Sequence, residues 1–186
     1  PTSHFLQFGL SLLPPRLLEA LPAIQWRIKG VLPAMGIAAM YGPSKSGKSF
    51  LSFDAACAIA DGVQWFDYRT DAADVVLVAL EGESGYKLRA QAWTKHHGRA
   101  LPERLRLVMQ PFRLTEPKDI ADLAAVVPSG AVVFVDTMNR AAPTADENSS
   151  RDMGEIIEGA KNLQRLTAGL VVLVAHTGKD VSKGLR

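Results

Sequence analysis

Gly42-Pro43-Ser44-Lys45-Ser46-Gly47-Lys48-Ser49, with Phe50 following, places two glycines, a lysine and a hydroxyl at the spacing that cradles a polyphosphate. Such a ligand carries several negative charges and is held without covalent bonds. Unpaired backbone N–H groups at a helix N-terminus do this, helped by the helix dipole. Gly42 and Gly47 let the backbone close tightly where a Cβ would collide. Lys48 is placed to reach the β- and γ-phosphates, and the Ser49 hydroxyl to ligate Mg²⁺. The pattern therefore implies ATP or a similar nucleoside triphosphate, bound with Mg²⁺ through residues 42–50. Lys45, in the variable part of the loop, reads as a solvated charge.

Hydrolysis needs more than this loop. Asp136 ends the apolar run Val132-Val133-Phe134-Val135 and is a candidate second Mg²⁺ anchor. Its plain alternative is a turn-capping aspartate before Thr137. Glu81 directly follows Val75–Leu80, where a carboxylate can polarise water for attack on the γ-phosphate. Glu83 reads as a surface acid. His176 is the polar end of Leu170–Ala175, either a satisfied core histidine or a γ-phosphate sensor. His96 and His97 are adjacent, point different ways on a helix and are not a metal pair. Lys48, Glu81, Asp136 and His176 are thus the catalytic candidates, and Ser49 and Asp136 the metal candidates.

These residues need elements to hold them. Apolar runs at Ile37–Tyr41, Val75–Leu80, Leu105–Val108, Val132–Val135 and Leu170–Ala175 read as strands, all but the third as buried ones. Helices are expected at Gly47–Ala60, at Gly85–His96 with Leu88, Ala92 and Trp93 inward, and at Lys118–Val127 with Ile120, Leu123 and Ala124 inward. Another is expected at Met153–Leu166, with Ile156, Ile157, Ala160 and Leu163 inward. Thr137–Ser150 reads as a loop. Buried strands alternating with helices imply an α/β fold with a mostly parallel sheet covered on both faces. In such sheets ligands bind beyond the carboxyl ends of the strands, where all the candidates fall.

The 186 residues suggest one domain, and 47% apolar with 22% charged residues is an ordinary soluble balance. A net charge of +2 provides no global field for nucleic acid, so any such site must be a local basic loop. Cys57, the single cysteine, lies in an apolar helical stretch and reads as a buried structural thiol. No intramolecular disulfide is possible, which fits a reducing cytoplasm. No run is long enough to span a bilayer. The chain starts at Pro1 rather than Met, so trimming or processing is expected.

Taken in order, Tyr41–Leu51, Val78–Glu83, Val133–Thr137, Asp146–Met153 and Ala175–Asp180 resemble the RecA-type ATPases of the RepA-like hexameric replicative helicase family. The resemblance covers about Gly30 to Arg186. It implies a RecA-like core from residue 30, truncated at its C-terminus, behind an N-terminal arm of residues 1–29. It also implies a homo-oligomeric ring, a hexamer, with ATP at subunit interfaces and single-stranded DNA as partner. Glu81 becomes the water-activating glutamate, Asp136 a direct or second-shell Mg²⁺ carboxylate, and His176 the reporter of γ-phosphate state. Two DNA-contacting loops are implied, one flanked by Arg140 and Arg151, the other carrying Lys179, Lys183 and Arg186. Arg186 is a candidate start of a segment that reaches a neighbour's ATP site. The alternative is a RecA- or RadA-type ATP-switched DNA-binding protein. A small-molecule kinase fits less well, because the arginines are scattered and 137–150 is acidic and polar.

Overall fold

Burial is nearly unbroken along the central strands, whose successive side chains point to opposite faces, so the sheet is covered on both. In the computed structural model, which describes residues 14–146 and 149–176, the order of the five-stranded sheet is β3-β7-β6-β4-β5. The strands are β3 (Gly36–Gly42), β4 (Val75–Ala79), β5 (Leu105–Val108), β6 (Val132–Asp136) and β7 (Leu170–His176). All pair in parallel. One face carries Val75, Leu77, Val132, Phe134, Leu170 and Val172, under α1 (Lys48–Asp61) and α2 (Glu83–His97). The other carries Val76, Val78, Val133, Val135, Val171 and Leu173, under α3 (Pro117–Val126), the single turn α4 (Met138–Ala141) and α5 (Ser150–Thr167). Each fully buried Val or Leu contributes about 1.5–3 kcal/mol to holding these layers together. The α/β class with a parallel sheet between helical layers is the architecture expected from the sequence.

The register is what positions the site. Gly42 pairs with His176, Ala79 with Asp136, and Asp136 with Val174. β3 and β7 therefore end level with each other, as do β6 and β4, with the first pair running two residues further. Gly42, His176, Asp136 and the residues just beyond Ala79 share one rim, although they come from distant parts of the chain.

Four expectations need correction. Among the described residues β3 is an edge strand, not a buried one, and Tyr41 is 53% exposed. On α2 the inward stripe is Tyr86, Ala90 and Trp93 rather than Leu88 and Ala92, and Leu88 is 66% exposed. On α5 Ile157 faces outward, and Gly159 takes its place beside Ile156, Ala160 and Leu163. The segment after Asp136 is not wholly a loop, since α4 interrupts it. A small antiparallel hairpin, β1 (Trp26–Ile28) with β2 (Leu32–Pro33), was not expected either. It joins the first face through the fully buried Ile28 and through Arg27, whose Nη2 donates to the Gly130 carbonyl at 3.0 Å. The apolar stretch Phe5–Leu13 lies outside the described residues.

Away from the rim, Asp54 fastens α1 to α2 and to the loop beyond α1. Its carboxylate accepts from the indole N–H groups of Trp65 at 3.0 Å and Trp93 at 2.9 Å. His97 approaches the same carboxylate at 3.2 Å and stacks on Trp93, which gives it a packing role. Asp54→Ala would leave two buried indole donors unpaired. A loss of about 3 kcal/mol is expected in urea unfolding, and an unchanged midpoint would show that Asp54 is not the fastener. Cys57, on the buried side of α1, has its thiol pushed up to about 12 by burial, then by the charges of Asp54 and Asp61. A buried thiol in that state is inert.

Candidate functional site

The loop 42–49 leaves β3 and turns into α1, with Gly47 at the helix start in a left-handed conformation, φ 87°. Glycine adopts that conformation without strain, which other residues rarely do. No side chain caps this N-terminus, so its first N–H groups are left for an anion. Lys48 is only 7% exposed and folds back over the loop. Its ammonium donates to the carbonyls of Gly42 and Pro43, both at 2.8 Å, and meets His176 Nδ1 at 3.0 Å. Those three contacts use all three donors of the ammonium. Pro43, Ser44, Lys45 and Ser46 form the exposed crest of the loop, and the Phe50 side chain is 59% exposed just behind it.

An ammonium only donates, so the His176 nitrogen it meets must accept. That assigns the imidazole proton to Nε2, on the side of Glu81 Oε1 at 3.5 Å. Glu81 Oε1 also accepts from Thr137 Oγ1 at 3.3 Å. Lys48, His176, Glu81 and Thr137 thus form one chain of polar contacts across the ends of β3, β7, β4 and β6. Both His176 and Glu81 are partly open to solvent, at 28% and 30% side-chain exposure, so a water can reach the carboxylate.

A second group lies deeper. Asp136 is fully buried. Its Oδ1 accepts from Ser49 Oγ at 3.2 Å, and its Oδ2 accepts from the Tyr86 hydroxyl. Burial, and then the Asp136 charge, raises the Tyr86 phenol far above its usual range, so it remains a donor. A cis peptide bond joins Asp136 to Thr137. The donor set fits Mg²⁺, a hard cation that takes one or two protein oxygens and completes its shell with phosphate and water. Among the described residues there is no cluster of three or more His, Cys, Asp or Glu that could cage a metal without the nucleotide.

The structure therefore brings Lys48, Ser49, Glu81, Asp136 and His176 to one rim. Arg140 is exposed and lines an open cleft of about 370 Å³ with Leu80, Gly82, Gln110, Arg113 and Pro143. Arg151, on the exposed side of α5, pairs with Glu155 at 3.4 Å. Lys179, Lys183 and Arg186 lie outside the described residues. Sequence reasoning missed Tyr86, Thr137 and Arg113. Thr137 had a signal, its place directly after Asp136, whereas Tyr86 and Arg113 had none stronger than nearness to strand ends.

A P-loop at the end of one strand, with an acidic residue closing the strand two places away, fits a RecA-like P-loop ATPase domain. The chain belongs to the AAA domain family AAA_25, which it matches over residues 6–182. Its fold is similar to that in the crystal structure of the RadB recombinase, with a TM-score of 0.52 and 21% sequence identity. That similarity covers 81% of this chain and 67% of the RadB chain. No curated protein matches it. Among the described residues no helix is long and apolar enough to cross a membrane.

Proposed function

We propose that this domain hydrolyses Mg²⁺-bound ATP and couples the reaction to single-stranded DNA, as the ATPase core (from about residue 30) of a RepA-like ring-forming helicase. The observation that carries the reading is the chain of contacts from Lys48 through His176 to Glu81. It links the group that senses the γ-phosphate to the group that activates water.

In this reading the β- and γ-phosphates lie over the α1 N-terminus and draw the Lys48 ammonium away from Gly42 O and Pro43 O. His176 Nδ1 loses its donor at the same moment and is free to turn toward the γ-phosphate. Glu81 is then released from His176 while Thr137 still holds its Oε1. Its carboxylate takes a proton from water, whose oxygen bonds to the γ-phosphorus as the bond to the bridging oxygen breaks and ADP leaves. Mg²⁺ held by Ser49 Oγ and Asp136 Oδ1 would neutralise charge building on the phosphate oxygens.

The DNA side is supported by the cleft that starts at Leu80 and Gly82, on either side of Glu81. Arg113 and Arg140 on its walls suit phosphodiester oxygens without regard to base sequence. Single-stranded DNA is expected to raise the ATPase rate several-fold at low salt, with the effect fading as salt rises. A rate indifferent to DNA at low salt ends the motor reading. The likeness to the RadB recombinase supports a second reading, an ATP-switched DNA-binding protein of the RecA or RadA kind. Such a protein binds DNA in an ATP-dependent way without unwinding a duplex, whereas a helicase unwinds one.

A further inference from the structure

Tyr86 is the largest fully buried side chain among the described residues. Its ring lies between α1 and α2, 6.3 Å from the Phe53 ring and under the Arg89 guanidinium, whose central carbon is 4.5 Å from the ring centroid. A phenylalanine would fill that space as well, without the cost of desolvating a hydroxyl. Among the described residues the hydroxyl has one hydrogen-bond partner, Asp136 Oδ2.

The terminal torsion of an aspartate is broad, so a carboxylate held at one oxygen still pivots. Asp136 is held at both, by Ser49 from α1 and by Tyr86 from α2. The two donors approach from different helices and so fix the plane of the carboxylate. α2 begins at Glu83, two residues after Glu81. The same hydroxyl therefore ties the segment carrying Glu81 to the carboxylate beside Ser49.

We infer that Tyr86 is a positioning residue for the metal site: its hydroxyl orients Asp136 so that Oδ1 faces Ser49 and the cation, and it sets the distance from that site to Glu81. The inference rests on the Mg²⁺·ATP reading above and extends it to a residue that touches neither the nucleotide nor the cation. Outer partners of metal-site carboxylates act in this way, and losing one typically weakens metal binding by about 10- to 100-fold.

The test uses the whole chain and Tyr86→Phe, which keeps the ring. Mn²⁺ binding in the presence of ADP is read by electron paramagnetic resonance, ATP turnover is followed across a Mg²⁺ titration, and ADP affinity is measured in EDTA. Tyr86→Phe is expected to weaken Mn²⁺ about 10-fold and to raise the Mg²⁺ needed for half-maximal turnover in parallel. Metal-free ADP affinity should stay within about twofold, because the hydroxyl does not reach the phosphate loop. Phe53→Leu loosens the same ring packing without touching Asp136. It should lower stability yet leave Mn²⁺ affinity at the wild-type value.

A Tyr86→Phe protein that binds Mn²⁺ like wild type overturns the inference. So does a Phe53→Leu protein that loses Mn²⁺ affinity to the same degree. Tyr86-dependent Mn²⁺·ADP binding in a chain that does not hydrolyse ATP would sink the ATPase reading and leave this one standing. A wild-type chain that binds no Mn²⁺·ADP sinks both.

Discussion

Glu81→Gln is expected to cut ATP turnover by about 10²- to 10³-fold while nucleotide affinity changes little. The side chain keeps its size, and an amide oxygen can still accept from Thr137 Oγ1, which lies 3.3 Å from the present carboxylate. What disappears is the negative charge and the capacity to take a proton. Binding should be spared because Glu81 is not part of the loop 42–49 and its polar contacts run to His176 and Thr137. The variant should bind a fluorescent ATP analogue with near-normal affinity and release almost no phosphate. If phosphate release stays within about twofold of wild type, another group is the base. If affinity collapses instead, Glu81 belongs to binding rather than to chemistry.

Gly159→Ala is expected to harm the fold severely. Gly159 lies in the middle of α5, where its backbone passes directly against the Leu114 backbone. A Cβ built there overlaps the Leu114 carbonyl oxygen, falls 2.9 Å from the carbonyl carbon and comes 3.5 Å from Ile120 Cδ1. Leu114 is itself fully buried and anchored by its N–H to the Ala141 carbonyl at 2.8 Å. Relief therefore requires main chain to move, since no flexible side-chain end is in the way. The expected loss is about 3 kcal/mol or more. Better helix propensity returns only about 1 kcal/mol of it. Gly154→Ala, in the same helix with nothing within 4 Å of the new Cβ, isolates that propensity gain and should stabilise. Equal urea midpoints for Gly159→Ala and wild type would show that α5 can shift freely.

The two predictions mark what the sequence reveals and what it hides. The P-loop was legible because its chemistry demands particular residue types at fixed spacing, and the strand ends because buried parallel strands read as unbroken apolar runs. Together they located Glu81, Asp136 and His176 on one rim before any strand order was known. The inward face of α2 was legible only in part, at Trp93 but not at Tyr86. Leu88 looked like the natural core residue, but that helix faces the sheet through Tyr86 and Trp93, whose polar atoms find Asp136 and Asp54. Hydrophobicity alone ranks an aliphatic chain above an aromatic one with a polar tip, and it carries no information about a buried acceptor waiting across the interface. Gly159 was missed for a related reason. A glycine within a helical pattern looks like a weak point until the opposing backbone is in view.

The level strand ends have a consequence for how this chain tolerates change in length. Gly42 faces His176 and Ala79 faces Asp136 because each pair of strands runs from its first residue to its last without offset. A single-residue insertion or deletion inside β7 would move His176 by about 3.3 Å along the strand and turn its side chain to the opposite face of the sheet. Lys48 would then lose its contact at Nδ1 and Glu81 its neighbour at Nε2, although every residue type in the site was preserved. Substitutions along these strands are graded in their effects, but changes in their length are not. Length changes outside the strands, as in the irregular chain of residues 71–74 and 128–130 at the opposite, amino-terminal end of the sheet, leave that register intact.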